Sequence, residues 1–265
     1  MPRDSSQESI PLNADHLDPA RSRQLLAAGH TLLALLEQGS ALTAQSLRAA
    51  MTQAFAASDI EGAWVWKDAA EAAEIAQILF MQRHAAAMGL DRPDSDTRTI
   101  LGMLRKIAAL VPTQTKRSLE SAALQQFSTP LPLAYCVSLA ARITASDRVL
   151  EPSAGTGMLA VFSEATGASL LLNEISETRA GVLAGLFPAA QRYNVDGATL
   201  HDRLPAALLP NVVLMNPPFS AALNVTRTQR GEDERHLAAS IARLADNGRL
   251  VAILSSSAAL DCLPP

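Results

Sequence analysis

Short apolar segments alternate with longer helical segments after Pro112, and this alternation constrains the fold more than any other feature. The candidate strands are Arg148–Leu150, Ser169–Asn173, Gln191–Val195, Val212–Met215 and Arg249–Leu254. The candidate helices are Pro132–Ile143, Gly157–Thr166, Glu177–Leu186 and Glu232–Asp246. Alternation of this kind predicts an α/β fold with a mostly parallel, doubly wound sheet. In such sheets ligands bind outside the carboxyl ends of the strands.

The first part of the chain has a helical pattern instead. Apolar residues recur at helical spacing from Asp18 to about Val111, and Thr43 is placed to cap one of the helices. We therefore expect a disordered arm over residues 1–18, a helical N-terminal domain over residues 19–112, and an α/β domain over residues 113–265.

Composition excludes several classes of protein. Hydrophobic residues make up 48% and charged residues 18% of the chain, which is enough to fill a core, and the net charge of -4 is not that of a basic nucleic-acid binder. No secretory signal and no apolar run of membrane-spanning length is visible, so we expect a cytoplasmic protein without a membrane partner. Cys136 and Cys262 lack metal-ligand spacing, so we expect no metal site.

A glycine-containing turn follows the first candidate strand, in the segment from Glu151 to Gly157. Gly155 and Gly157 allow a tight turn and a close approach of the backbone to a ligand. The third glycine of the dinucleotide fingerprint is absent at its usual spacing, and an ordinary strand-to-helix turn is the alternative. Glu151 favours a binding site, because a carboxylate at a strand end can face a cationic or amino-bearing ligand.

Acidic residues also end the next two strands. Glu174 is placed to accept both hydroxyls of a ribose, as in nucleoside-binding α/β folds, although a surface glutamate is the alternative. Asp196 could accept from an exocyclic amino group such as that of adenine, whereas an Asp-Gly turn is the plainer interpretation.

The fourth strand ends in Asn216-Pro217-Pro218-Phe219. Two prolines cannot extend a strand ladder, and they also stiffen the turn. The turn would hold the Asn216 side chain and nearby carbonyls beside an aromatic face. Such a cluster of acceptors suits a planar amino group.

The order of these motifs resembles the S-adenosylmethionine-dependent N6-adenine DNA methyltransferases of the γ arrangement, which include type I modification subunits. A Thr-Pro motif precedes the glycine motif in that family, and Phe127-Ser128-Thr129-Pro130 fills its place here. The resemblance covers roughly residues 120–256. It implies a Rossmann-like methyltransferase sheet, S-adenosyl-L-methionine as cofactor, and adenine in DNA as the methyl acceptor.

The resemblance also implies a role for each motif residue. Phe127 and Thr129 would line the methionine end of the cofactor, and the segment Glu151–Gly157, which includes Ser153 and Gly155, would hold its amino acid and sulfonium. Glu174 would bind the ribose and Asp196 the adenine. Asn216 and the carbonyl of Pro217 would accept from the target amino group, while Phe219 would stack on the target base.

Other interpretations stay open at this stage. The same tetrapeptide form occurs in enzymes that methylate RNA or a protein glutamine. The family's sheet normally adds two further strands, and the sequence ends at Pro265 soon after the fifth candidate strand. We therefore expect missing C-terminal strands, a further domain or subunit that recognises the target, and a likeness to the N-terminal part of plasmid or phage methylase–helicase proteins. An inactive cofactor-binding remnant is the third alternative.

Overall fold

A computed structural model describes residues 19–92, 94–112, 128–217 and 232–254. Its helices are α1 Pro19–Glu37, α2 Ala44–Phe55, α3 Trp66–Met88, α4 Thr97–Ala109, α5 Leu131–Ala141, α6 Ala160–Ala165, α7 Glu177–Leu186, α8 Leu200–Arg203 and α9 Glu232–Ile241. Its strands are β1 Arg148–Glu151, β2 Ser169–Asn173, β3 Gln191–Tyr193, β4 Val212–Met215 and β5 Arg249–Ala252. The predicted arm over residues 1–18 lies outside the described residues.

The five strands form one parallel sheet in the order β3-β2-β1-β4-β5. Strand β1 is central, and all four residues of β4 are buried, as expected for a sheet covered on both faces. The predicted fold class, a Rossmann-like α/β sheet preceded by helices, is confirmed.

Several predicted elements are shorter in the structure than the apolar pattern suggests, and for two of them the structure shows the cause. Strand β3 stops at Tyr193 because the backbone N–H of Val195 donates to the side chain of Asn173 at 3.0 Å, rather than to a strand. Helix α6 begins at Ala160 rather than at Gly157, since Gly157 adopts a φ of 100° that no α-helix contains. Helix α9 ends at Ile241, before Asp246.

The N-terminal helices pack directly onto the helices of the sheet. Helix α1 lies between α3 and α7, and the hydroxyl of Ser22 donates to the carbonyl of Thr178 at 2.9 Å. Gly181 on α7 permits this approach, because a Cβ there would lie 2.2 Å from the Ser22 Oγ. The buried side chains of α1 and α3 belong to the same hydrophobic core as Val149 of β1 and Leu170 and Leu172 of β2. The boundary between two domains near residue 112 stays a prediction.

Helix α3 is buried on nearly all sides and carries a stripe of polar residues. Asp68, Glu71, Glu74 and Gln77 follow one another at intervals of three and are all buried, each less than 9% exposed. Side chains three apart are neighbours on a helix surface, so these four form one polar row that winds around the helix among alanines and isoleucines, with Asp68 and Gln77 on opposite sides. Within the described ranges, no helix has the length and apolar character needed to cross a membrane.

Candidate functional site

The carboxyl ends of β1, β2 and β4 meet at one edge of the sheet, as parallel pairing requires. A pocket opens there, between the turn after β1 and the end of β4. Its lining includes Thr129, Glu151, Ser153, Gly155, Thr156 and Asn216. The structure therefore brings together residues from three of the predicted motifs, which lie far apart in the sequence.

The two glycines of the turn serve different purposes. Gly155 has a φ of 58°, and a Cβ built on it would meet no atom within 4 Å, so it borders open space in the pocket. Gly157 has a φ of 100°, and its Cβ would lie 2.3 Å from the Phe187 Cε2. The first glycine leaves room for a ligand, whereas the second lets the turn pack closely against the end of α7.

Glu151 is enclosed in the wall of this pocket. Its side chain is 3% exposed, and its Oε2 has no hydrogen-bond partner among the described residues. Burial raises the pKa of the Glu151 carboxyl well above its ordinary value, and the nearby charge of Glu174 raises it further. A buried carboxylate oxygen of this kind needs a donor, and the ammonium of an amino-acid ligand would supply one.

Glu174 supports the turn from the end of β2. One carboxylate oxygen accepts from the backbone N–H of Gly155 and the other from that of Ser176, both at 2.8 Å. The side chain of Glu174 therefore fixes the backbone beside the pocket. The contact of Glu174 with a ribose stays a prediction. The ribose hydroxyls would donate to the acceptor positions that remain on each carboxylate oxygen.

Asn216 is oriented by the threonine of the upstream motif. Its Nδ2 donates to the Thr129 Oγ1 at 3.0 Å, across 87 residues of sequence. This contact distinguishes the two ends of the amide, with the nitrogen toward Thr129 and the oxygen turned away. Pro217 is buried directly after it. Phe127 and Phe219, predicted to line the cofactor and to stack on the target, lie outside the described residues.

The two remaining predicted residues have local partners. The exposed Asp196 caps a short 3-10 helix, because its Oδ1 accepts from the backbone N–H of Ala198 at 2.9 Å. This is the plainer interpretation of the Asp-Gly pair, and the predicted adenine contact of Asp196 stays a prediction. The Oγ of Ser153 lies 3.4 Å from the Nδ1 of His236, which reaches the pocket rim from α9.

Two charged residues of the pocket lining were not predicted from the sequence. Glu74 comes from α3, and its Oε2 accepts the hydroxyl of the buried Thr156 at 2.8 Å. Arg179 comes from α7 and forms an ion pair with Glu71 of α3 at 2.7 Å. Burial lowers the pKa of Arg179, but the carboxylates around it raise the pKa above its ordinary value, so the guanidinium stays charged. The polar row on α3 was the available signal for this connection.

Comparison with known proteins gives matches only among solved structures. No protein-family model and no curated protein matches the chain. TrmN from Thermus thermophilus is similar at 18% identity, with a TM-score of 0.45 over 71% of each chain.

Two structures from Streptococcus thermophilus are also similar. A type I restriction-modification methyltransferase subunit has 14% identity and a TM-score of 0.40, over 89% of this chain and 68% of that one. An rRNA methylase has 12% identity and a TM-score of 0.37, over 49% of this chain and 72% of that one. Likeness at these scores carries no conclusion about reaction or substrate, for which the residues of the pocket are the basis.

Among residues 19–92, 94–112, 128–217 and 232–254, no cluster of histidine, cysteine, aspartate and glutamate has the composition of a metal centre.

Proposed function

We propose that the chain is an S-adenosylmethionine-dependent methyltransferase that acts on the N6 amino group of adenine in DNA. The observation that carries this proposal is the meeting of Thr129, the Glu151–Thr156 turn and Asn216 in one pocket at the carboxyl ends of parallel strands. This is where α/β sheets of this kind bind their ligands.

The pocket has features that suit the cofactor. S-adenosylmethionine supplies a methyl group bonded to a positively charged sulfur. Glu151 offers a buried carboxylate oxygen for the ammonium of the amino-acid end, and Gly155 leaves the neighbouring space open. Burial of Glu151 keeps water away, so its interaction with a cation is stronger than it would be in bulk solvent.

Asn216 would hold the methyl acceptor. An aromatic amine is a poor nucleophile because its lone pair is delocalised into the ring. Two acceptors on its hydrogens, the Asn216 Oδ1 and the carbonyl of Pro217, would favour a tetrahedral nitrogen and localise that lone pair. Thr129 supports this role by holding the amide nitrogen at 3.0 Å, which fixes the orientation of the side chain. No strong base is required, because the amine loses its proton after the methyl group is transferred.

Access to the pocket defines the form of the nucleic acid. An adenine stacked inside a duplex cannot reach the end of β4, so the base is flipped out or is single-stranded when it reacts. Stacking on Phe219 would offset part of this cost, by about 1–3 kcal/mol. Positioning of the acceptor against the methyl donor would supply much of the rate acceleration.

The test is transfer of a labelled methyl group to adenine-containing DNA by the wild-type chain and by Asn216→Ala. We expect the variant to lose transfer while keeping its affinity for S-adenosylhomocysteine within about twofold, since the amide contacts the acceptor rather than the cofactor. Asn247→Gly is the matched control, because Asn247 is exposed and has a positive φ of 60° that glycine tolerates. Equal transfer by wild type and Asn216→Ala would refute the role of Asn216.

Digestion of the labelled product identifies the acceptor. N6-methyladenine from DNA is the expected product. Label recovered in RNA nucleosides or in methylglutamine would replace the DNA proposal with one of the alternative acceptors. Complete absence of transfer, with intact cofactor binding, would favour a non-catalytic cofactor-binding role.

A further inference from the structure

One wall of the pocket comes from the N-terminal helices rather than from the sheet. Glu74 projects from α3 into the lining that also contains Glu151, and it is only 8% exposed. Helix α3 precedes the glycine turn by about 80 residues, and the Glu74–Thr156 hydrogen bond spans 82 positions. The N-terminal helices therefore contribute directly to the site.

Both signs of charge line this wall. Arg179 reaches the lining from α7, and Glu71 holds its guanidinium through the Nε at 2.8 Å and the Nη2 at 2.7 Å. Glu74 and Glu151 face the same space with their carboxylates. An α-amino acid carries one ammonium and one carboxylate, so it matches a wall that presents carboxylates and a guanidinium side by side.

An independent observation indicates that this space takes a ligand. The Oε2 of Glu151 is fully buried and has no partner among the described residues, although buried polar atoms are nearly always hydrogen-bonded. A donor from the ligand would satisfy it. The Glu74 carboxylate accepts the Thr156 hydroxyl, and this is compatible with a second donor, since a carboxylate offers about four acceptor positions.

We propose that Glu74 and Arg179 bind the amino-acid end of the cofactor, with Glu74 accepting from the ammonium beside Glu151 and Arg179 donating to the carboxylate. This inference rests on the proposed function. It assigns the N-terminal helices a part in cofactor recognition, which the sequence alone did not indicate. The adenosine end is outside this wall and should be recognised without Glu74.

The test compares two ligands that differ in that end. S-adenosylhomocysteine carries the ammonium and the carboxylate, whereas 5′-methylthioadenosine has the same adenosine and a thioether but lacks the amino acid. Calorimetric titration measures the first ligand directly, and competition against it measures the second. Glu74→Gln keeps the shape and an oxygen acceptor for Thr156 while removing the charge.

We expect Glu74→Gln to weaken the binding of S-adenosylhomocysteine about tenfold or more, because the loss of a hydrogen bond to a charged group has an effect of this size. Binding of 5′-methylthioadenosine should change by less than about twofold. Arg179→Lys, which keeps the charge but loses the planar fork, should show the same selectivity for the amino-acid ligand. Glu164→Gln is the matched control, since Glu164 is a partly buried glutamate paired with Gln82 at 2.7 Å and lies outside the lining.

A purely structural role of Glu74 would give a different pattern. Thr156→Val removes the hydroxyl but leaves the Glu74 charge. It should therefore weaken the binding of S-adenosylhomocysteine less than Glu74→Gln does. If Glu74→Gln weakens both ligands equally, or weakens neither, the inference is wrong while the proposed function stands. If the folded wild-type chain binds neither ligand, the proposed function itself fails.

Discussion

Gly155 and Gly157 offer the sharpest test of how the turn after β1 is built, because the same substitution at each should have a different result. In Gly157→Ala the new methyl group would lie 2.3 Å from the Phe187 Cε2 and 3.1 Å from a methyl carbon of Leu183. The φ of 100° is also unfavourable for alanine. Strain costs about 1–3 kcal/mol and overpacking about 1–3 kcal/mol, so the free energy of unfolding should fall by about 2–6 kcal/mol.

Gly155→Ala is the matched comparison. Its φ of 58° lies in the left-handed region, where alanine costs about 1–2 kcal/mol, and its methyl group would meet nothing within 4 Å. The methyl group would occupy the open side of the turn, in the pocket. Gly155→Ala should therefore reduce the binding free energy of S-adenosylhomocysteine by more than it reduces the free energy of unfolding.

Urea denaturation of both variants and of the wild-type chain measures the free energies of unfolding, and calorimetric titration measures the affinities. We expect Gly157→Ala to be the less stable variant and Gly155→Ala to be the weaker binder of S-adenosylhomocysteine, among variants that remain folded. Equal destabilisation by the two substitutions would refute the assignment of Gly157 to packing. Unchanged affinity in Gly155→Ala would refute the assignment of Gly155 to the ligand space.

Two further predictions concern buried polar groups. The raised pKa of Glu151 means that its contribution to stability is fully present below about pH 4.3, the ordinary glutamate pKa, and is lost as the pH rises through its folded-state value. Glu151→Gln should therefore make the unliganded chain more stable than wild type at neutral pH, and this difference should vanish in acid. The same substitution should weaken the binding of S-adenosylhomocysteine. Urea denaturation across pH measures the stability difference, and parallel plots of unfolding free energy against pH for the two proteins would contradict the prediction. Asn173→Ala removes three hydrogen bonds, to the carbonyls of Pro152 and Val195 and from the Val195 N–H, and should lower the free energy of unfolding by about 3 kcal/mol or more. A loss below about 1 kcal/mol in urea denaturation would show that water replaces these bonds.

The fold class could be predicted because its signals are local. Most strands contain a short apolar run bounded by turn residues, and several helices show apolar residues at helical spacing. The error at the end of β3 occurs because a distant side chain decides where the strand stops. The pattern extends β3 to Val195, but the side chain of Asn173 on the neighbouring strand takes the Val195 N–H. No property of the segment 191–195 by itself contains that information.

The site could be predicted in part for a related reason. Parallel pairing places the ends of β1 and β4 side by side, so Glu151 and Asn216 meet once the sheet is accepted. The Thr129–Asn216 contact agrees with the order of motifs, which the resemblance provided. The sequence did not reveal Glu74 and Arg179, because their place in the pocket depends on how α3 packs against α1 and α6 and on the ion pair that joins α3 to α7. The row of polar residues on α3 shows that the helix faces polar partners but does not identify them.

The packing of α3 connects stability and ligand binding in this chain. Three successive members of its polar row each hold a different part of the molecule: Asp68 pairs with Arg21 of α1, Glu71 with Arg179 of α7, and Glu74 with Thr156 of the glycine turn. With Glu151 and Glu174, buried carboxylates outnumber the guanidinium of Arg179 around the turn. An excess of buried negative charge is unfavourable in the unliganded protein.

A cationic ligand would relieve this repulsion. It would stabilise the folded state by an amount that rises with the logarithm of its affinity, because it binds the native pocket and not the unfolded chain. The same carboxylates that weaken the unliganded protein would thus favour a ligand with an ammonium and a sulfonium over a neutral or anionic one. The N-terminal helices would then select the charge of the ligand, while the sheet would determine where it binds.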